Sequence, residues 1–453
     1  MFKIKTITLS LLALLLVMSF ASCASDTTSD LPLPSKDMKA YLQVKVTVEG
    51  SGDTRASRAD KGPDGGEDGD GSEQGINKEN DVNSLTVLLY ESDKDDLSDD
   101  NAIIDYVYTF TNLNKVTTSS GSDATYTTVP REIDASIVGK NYHVVVIANA
   151  DDMTSRCKGK ISEVRDLQMS KVCTRDADIT NFSNFIMSSK TDAMIDFTKE
   201  GSETDPYVVD VNIERLAARI DIIPNATYVD TDKGYYYNVM DGTNVIGGFK
   251  LESVTPTKVM TKGEYLIKRV SSDAAVSTVT YFGLEEMDAT TKASTNYVVC
   301  PWTKDRTGLT LAEAEGPTSF YNVKKTTSTG TIADASYILD YVMENTTTDN
   351  AETNSTGLVF KGKYYEAEDW DAAKKEPITG HESKGKDKAY TYVIRHSDPT
   401  GNGTTNDIMH YGIVRNNIYR VRIDGITGKG PDGMKVTLHV RKWATYTHDE
   451  TTM

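Results

Sequence analysis

Residues Ala40 to Val48 read AYLQVKVTV, in which Leu42, Val44, Val46 and Val48 alternate with Gln43, Lys45 and Thr47. Successive side chains of a strand point to opposite faces, so this period of two gives one apolar and one polar face and demands a sheet with a core on one side. The pattern returns near the other end of the chain, where Met434, Val436, Leu438 and Val440 alternate with Lys435, Thr437, His439 and Arg441. Between the two, apolar and β-branched runs recur at 82–90, 103–110, 142–148, 207–213 and 218–223, then at 249–254, 258–267, 276–282, 297–300, 358–365, 389–396 and 418–423. Turn-rich stretches separate them, and a helical period shows only weakly at 161–169. Short strands so punctuated predict an all-β fold built of sandwiches.

A length of 453 residues allows two or three domains, and 38% hydrophobic residues suffice for globular cores. Pro224-Asn225-Ala226 interrupts the strands and predicts a junction between an N-terminal sandwich over 59–224 and a C-terminal one over 225–453. The polar stretches 303–334 and 366–388 read as loops, and no short repeat suggests a solenoid. A formal charge of −18 argues against a nucleic-acid partner, since an acidic surface repels phosphate and no basic stripe overrides it.

The segment ahead of the first strand has its own logic. Lys3 and Lys5 precede an apolar run from Leu11 to Phe20, and small residues follow at Ala21 and Ser22, directly before Cys23. The apolar run is short and its end looks cleavable, so 1–22 reads as a secretory signal rather than a membrane span. Phe20-Ala21-Ser22-Cys23 resembles a bacterial lipobox, with Phe20 where Leu is usual; the Cys23 thiol is then the expected lipidation site. Two or three acyl chains, at about 0.8 kcal/mol per buried methylene, would hold the precursor on a membrane. Behind the strand lies a tether made mostly of Gly, Asp, Glu and Ser, residues that bury little apolar surface. It carries two Arg-Ala bonds, at Arg55 and Arg58, and exposed stretches of this composition are where proteases cut.

Few patterns suggest chemistry. Asp68, Asp70, Ser72 and Glu79 fall at ligand spacings of a calcium loop, but Glu73 stands where the sharp turn needs glycine and Ile76 comes one position late. The stretch reads as a solvated acidic linker. The six histidines, at 143, 381, 396, 410, 439 and 448, show no metalloprotease spacing, and those in strands are expected to face solvent. No nucleophile elbow, phosphate-cradling loop or zinc motif occurs, and acid pairs such as Glu285 with Glu286 or Asp369 with Asp371 are ordinary in so acidic a chain. No catalytic residue, metal or cofactor is assigned. Arg415, Asn416 and Asn417 read as turn and strand-entry residues, and Trp302 and Trp370 as packing anchors rather than glycan platforms. With Cys157, Cys173 and Cys300 left after Cys23, disulfides are not expected to organise the fold, and Cys157 is not expected to pair with Cys173.

Three segments are more specific: Val211-Asn212-Ile213-Glu214-Arg215-Leu216-Ala217-Ala218-Arg219-Ile220, Phe249-Lys250-Leu251, and Ile413-Val414-Arg415-Asn416-Asn417-Ile418-Tyr419-Arg420-Val421-Arg422-Ile423. With the valine-rich 142–148, Phe185-Ile186-Met187-Ser188 and the closing strand ending at Trp443, the chain resembles the fimbrillin family of Bacteroidia, the type V pilins, and within it the major subunits of minor fimbriae. The resemblance spans nearly the whole mature chain through a few segments with divergent loops between. It implies two tandem transthyretin-like β-sandwich domains and a surface filament. It also implies export as an outer-membrane lipoprotein anchored at Cys23, then cleavage by an arginine-specific maturation protease at Arg55 or Arg58. The released strand would be Leu42, Val44, Val46 and Val48 with their neighbours. Another subunit would fill the vacated groove with its C-terminal donor strand, Met434, Val436, Leu438 and Val440 with the tail beyond. The partners implied are further copies of the chain and accessory fimbrial subunits.

The alternation patterns support this scheme on physical grounds. Burying one four-residue apolar set is worth roughly 1.5 to 3 kcal/mol per side chain before entropy, and a strand also completes main-chain ladders on open edges. A body that has lost its first strand can therefore be completed by one of matching pattern. Donor and acceptor lie on different surfaces of one subunit, so repeating the contact gives an open filament. Two other readings keep the β-sandwiches: a monomeric, surface-anchored glycan-binding lipoprotein, and an accessory tip or anchor subunit.

Overall fold

The computed structural model describes residues 39–48, 72–74, 77–92, 101–116, 124–165, 167–175, 182–189, 193–198, 201–226, 228–229, 234–260, 262–266, 303–304, 309–310, 321–322, 337–345, 355–395 and 412–444. The signal segment, Cys23, Arg55 and Arg58 lie outside the described residues. So do Asp68 and Asp70, the expected strands 276–282 and 297–300, Glu285, Glu286, Cys300, Trp302, and the histidines at 396, 410 and 448.

The fold is all-β, with sandwich domains. The principal strands of the first half are β1 (Ala40–Val48), β2 (Ser72–Gln74), β3 (Leu85–Tyr90), β4 (Ile103–Phe110), β5 (Leu113–Val116), β6 (Thr125–Thr128), β7 (Arg131–Ile133), β8 (Asn141–Ala148), β9 (Met187–Ser189) and β10 (Tyr207–Arg215). Their order is β5, β6, β1, β10, β9, β8, β3, β4, with β7 also on β1. The valine run of β8 is buried at every position from Tyr142 to Ala148, as a central strand covered on both faces must be. The helical period at 161–169 becomes a single short helix, Ile161–Arg165.

The second half contains β11 (Ala217–Ile223), β12 (Gly234–Asp241), β13 (Asn244–Thr257), β14 (Tyr337–Met343), β15 (Gly357–Glu366), β16 (Lys386–Val393), β17 (Asn417–Thr427) and β18 (Met434–Ala444). The order is β14, β11, β17, β12, β13, β15, β16, and β18 pairs with β17 and with β2. A second core of Tyr235, Phe249, Phe360, Tyr390, Val421 and Leu438, among others, fills it. β11 already belongs to this sheet, so the chain crosses over at Leu216, ahead of the junction expected at Pro224. The run expected at 258–267 is two pieces, Val259–Met260 and Gly263–Glu264, because Lys258 sits at φ 52 and turns the chain out of β13. β12 and β14 were not anticipated. The expected loop at 366–388 carries a small hairpin, Trp370–Asp371 against Glu376–Pro377.

Candidate functional site

β1 sits inside its sheet. It pairs in parallel with β10, from Leu42 opposite Tyr207 to Val48 opposite Ile213, and antiparallel with β6 and β7 on its other side. Ala40, Leu42, Val44, Val46 and Val48 are all 0% exposed, while Tyr41, Gln43, Lys45 and Thr47 are half-buried. Between β6 and β7 the ladder is interrupted, and the buried Thr128 hydroxyl accepts from the Val44 N–H at 2.9 Å. Gln43 Nε2 donates to the Thr128 carbonyl at 2.9 Å, and Val48 N to the Ala124 carbonyl at 3.0 Å. On the outer face, Lys45 meets Asp210 at 2.7 Å and Lys39 meets Glu132 at 2.9 Å, both largely exposed and so worth little. The slot that holds β1 is thus apolar along its floor and lined by strand edges on both sides.

β18 is built into the second core. Met434, Val436, Leu438 and Val440 are buried, and Met434 to Lys442 pair antiparallel with Ile426 to Asn417. On the opposite edge β18 meets β2 only at its end, where Ser72 to Gln74 lie parallel to Lys442 to Ala444. Trp443, fully buried, carries this end of the strand into the junction between the two sheets.

Ionic side chains meet there. Glu79, Arg215, Arg219 and Asp221 are each 0% exposed. Arg219 forms a fork with Asp221, at 2.9 and 2.7 Å, and donates to both Glu79 oxygens at 3.3 and 3.4 Å. Trp443 Nε1 donates to Glu79 Oε2 at 3.0 Å, and the Tyr341 hydroxyl to Oε1. Arg215 donates to the Glu79 carbonyl at 3.0 Å, to Asn416 Oδ1 at 2.8 Å and to Asn80 Oδ1, and its guanidinium lies 4.7 Å from the Trp443 ring centroid. Tyr341 stacks on Trp443 at 5.8 Å, and Phe185 meets both rings edge-on. Burial opposes the Arg219 charge, but Asp221 and Glu79 outweigh it and hold the guanidinium above its ordinary range. Arg215 lacks such a close carboxylate, and burial pulls it down to about 10 against the attraction of Glu79. Burial and the Glu79 charge push the Tyr341 phenol up, so it stays a neutral donor.

Sequence reasoning missed this junction. Glu79, assigned to a solvated linker, instead carries a buried carboxylate that accepts from Arg219, Tyr341 and Trp443. The available signal was the pair Arg215 and Arg219 flanking apolar Leu216-Ala217-Ala218: two cations in a buried run require buried acceptors. Two histidine expectations also fail. His143 is 1% exposed and stacks on Tyr90 at 5.1 Å, and His439 is 8% exposed. β8 is covered on both faces, while β18 is covered on its polar side at His439 but not at Lys435. His381 Nδ1 lies 2.8 Å from Asp369 Oδ1, while Asp371 caps the turn through the N–H groups of Ala373 and Lys374 at 3.1 Å each.

Other residues hold structural posts. Arg415 pairs with buried Glu344 at 3.1 Å and donates to the Glu264 carbonyl. Asn416 adopts φ 60, and Asn417 Nδ2 donates to the Arg415 carbonyl at 3.0 Å, so this trio shapes a turn and feeds the junction. Trp370 is buried between Tyr236 and Tyr365, its Nε1 on Asn238 Oδ1 at 2.8 Å. It packs over Gly248, where a Cβ would come within 1.9 Å of its ring. Cys157 is a buried free thiol, unbridged to Cys173, with its pKa pushed up to about 11 by burial.

Two family models match the chain. Residues 40–223 match the major fimbrial subunit protein FimA, and residues 384–448 match the C-terminal part of the type IV major fimbrial subunit protein, fimbrillin. No curated protein sequence matched it. Among solved structures, the tip fimbrial protein Mfa3 from Porphyromonas gingivalis, with a C-terminal truncation, is 13% identical at TM-score 0.39, covering 89% of this chain and 100% of its own. A fimbrial assembly protein from Parabacteroides distasonis is 12% identical at TM-score 0.37, covering 88% and 99%. The two models together take in more than half of the residues, including β1, β10, β11, β17 and β18. The chain therefore belongs to the fimbrillin family of Bacteroidia.

Proposed function

We propose that this structural protein of a cell-surface fimbrium polymerises by proteolysis-triggered strand exchange. In this reading the precursor is exported, acylated at Cys23 and held on the outer membrane. An arginine-specific protease then cuts at Arg55 or Arg58, β1 leaves with the lipid, and the slot between β10 and β6–β7 accepts the C-terminal segment of another copy, Met434 to Val440 with the residues after it. Accessory fimbrial subunits would join the same filament.

The observation that carries the reading is β1 itself: an internal strand with five fully buried side chains, followed by a tether with two Arg-Ala bonds. Its departure would uncover an apolar floor and two strand edges, which only another strand of the same pattern can satisfy. β18 has that pattern. Changing Arg55 and Arg58 together to alanine should leave lipidated monomers and no ladder on a denaturation-resistant gel. Filaments persisting in the double variant would sink the cleavage step.

One observation favours a second role. β18 is seated in its own core and ends in the Trp443 junction, which suits a terminal subunit that accepts a strand without donating one. Truncation from Met434 onward decides between them: filament length collapses if β18 is the donor and is unchanged if the subunit only accepts.

A further inference from the structure

Glu79 and Trp443 are 364 residues apart in sequence, yet they meet in a fully buried site. The contact is one of several between the same two segments. β2 lies parallel to Lys442–Ala444. Arg215 bridges them, donating to the Glu79 carbonyl at 3.0 Å and to the Trp443 carbonyl at 3.4 Å with its guanidinium over the indole. The stretch that follows the expected cleavage bonds therefore grips the end of the expected donor strand.

Resting on the reading that the C-terminal strand is donated, we propose that Ser72–Gln74 together with Glu79 forms a latch on β18 that controls its release. Withdrawing Trp443 would take an indole N–H from the Glu79 carboxylate, and a carbonyl and a ring face from Arg215, while both charges stay buried. A buried charge stripped of part of its bonding is costly, so the end of β18 cannot fray alone. The junction between the sheets has to open with it. Cleavage at Arg55 or Arg58 acts on the same latch: before the cut Ser72–Glu79 is internal, held on its upstream side by β1, and after the cut it trails from a new chain end. Chain ends open more readily than internal segments. The cut that vacates the acceptor slot thereby also loosens the donor.

The test is amide hydrogen exchange on the uncleavable precursor, Arg55→Ala with Arg58→Ala, with and without Trp443→Phe. This change keeps a ring on Tyr341 and removes the N–H that Glu79 accepts, together with part of the ring face that Arg215 covers. Loss of a hydrogen bond to a charged group should speed exchange at 434–444 and 72–79 by about tenfold, with β3 and β8 unchanged. Unchanged exchange at 434–444, or an equal rise throughout β11 to β18, overturns the latch. Should Trp443→Phe fail to fold, the unmodified precursor is compared with cleaved monomer, and equal exchange at 434–444 overturns the proposal just as well. Faster exchange in cleaved protein that forms no filament would leave the latch standing and remove strand exchange instead.

Discussion

β1 and β18 carry nearly the same four-residue apolar alternation, yet they are held in opposite ways. β1 is internal, with ladders on both sides and no ionic anchor beyond exposed pairs such as Lys45 with Asp210. β18 has one full ladder, to β17, and is pinned at its end by a buried network of Glu79, Arg215, Arg219 and Trp443. A periodic pattern therefore says which face of a strand is buried and nothing about how the strand could leave. For β1 the physical hold is almost wholly apolar and main-chain. For β18 a comparable apolar and main-chain hold is joined, in the last few residues, by a buried ionic network.

The largest break in this comparison should come from Val44→Asp. Val44 is 0% exposed, and an unpaired carboxylate there should cost about 3–5 kcal/mol of precursor stability in urea denaturation. A loss under 1 kcal/mol would mean that β1 is not integral to the first core. Leu438→Ala comes next. The residue is 2% exposed on an edge strand that can partly close the gap, so about 2–3 kcal/mol is expected, confined to the second domain. Equal loss in both domains by hydrogen exchange would contradict the separation of the two cores.

A smaller effect should follow from pH. Burial raises the Cys157 thiol from 9.0 to about 11, and raises Tyr126 and Tyr390 from 10.0 to about 12. The unfolded chain loses these protons first, so their contribution is intact below pH 9 and is lost as pH rises towards 11 and 12. Between pH 8 and 10 stability should fall by on the order of 1 kcal/mol, more in the first half, where Cys157 and Tyr126 lie. A rise in stability over that range would reverse the assigned direction. Lys45→Ala should matter least, about 0–1 kcal/mol, because its pair with Asp210 is mostly exposed. A larger loss would show that the rim of β1 holds it as well as its apolar face.

The parts of the molecule legible in the sequence were those set by local pattern. β1, β4, β8, β10 and β18 are each written in a few consecutive residues; β1 and β4 keep their expected limits, and β8, β10 and β18 extend by one, two and four positions. What the pattern could not supply was long-range pairing of charge. Glu79 stands in an acidic stretch that looks solvated, and the donors to its carboxylate come from Arg219, Tyr341 and Trp443, far along the chain. His143 shows a related failure: it stands between apolar Tyr142 and Val144, but β8 is covered on both faces, so a polar position is not a wet one. The crossover at Leu216 was hidden because Leu216-Ala217-Ala218 continues the apolar run without a turn signal, while Pro224 offers one.

The central claim, that β1 is a temporary strand removed by cleavage, is tested most directly by mass spectrometry of the N-terminus of protein taken from surface filaments. The N-terminus is expected at Ala56 or Ala59, with residues 40–48 absent from the filament. An intact chain beginning at acylated Cys23 would contradict it.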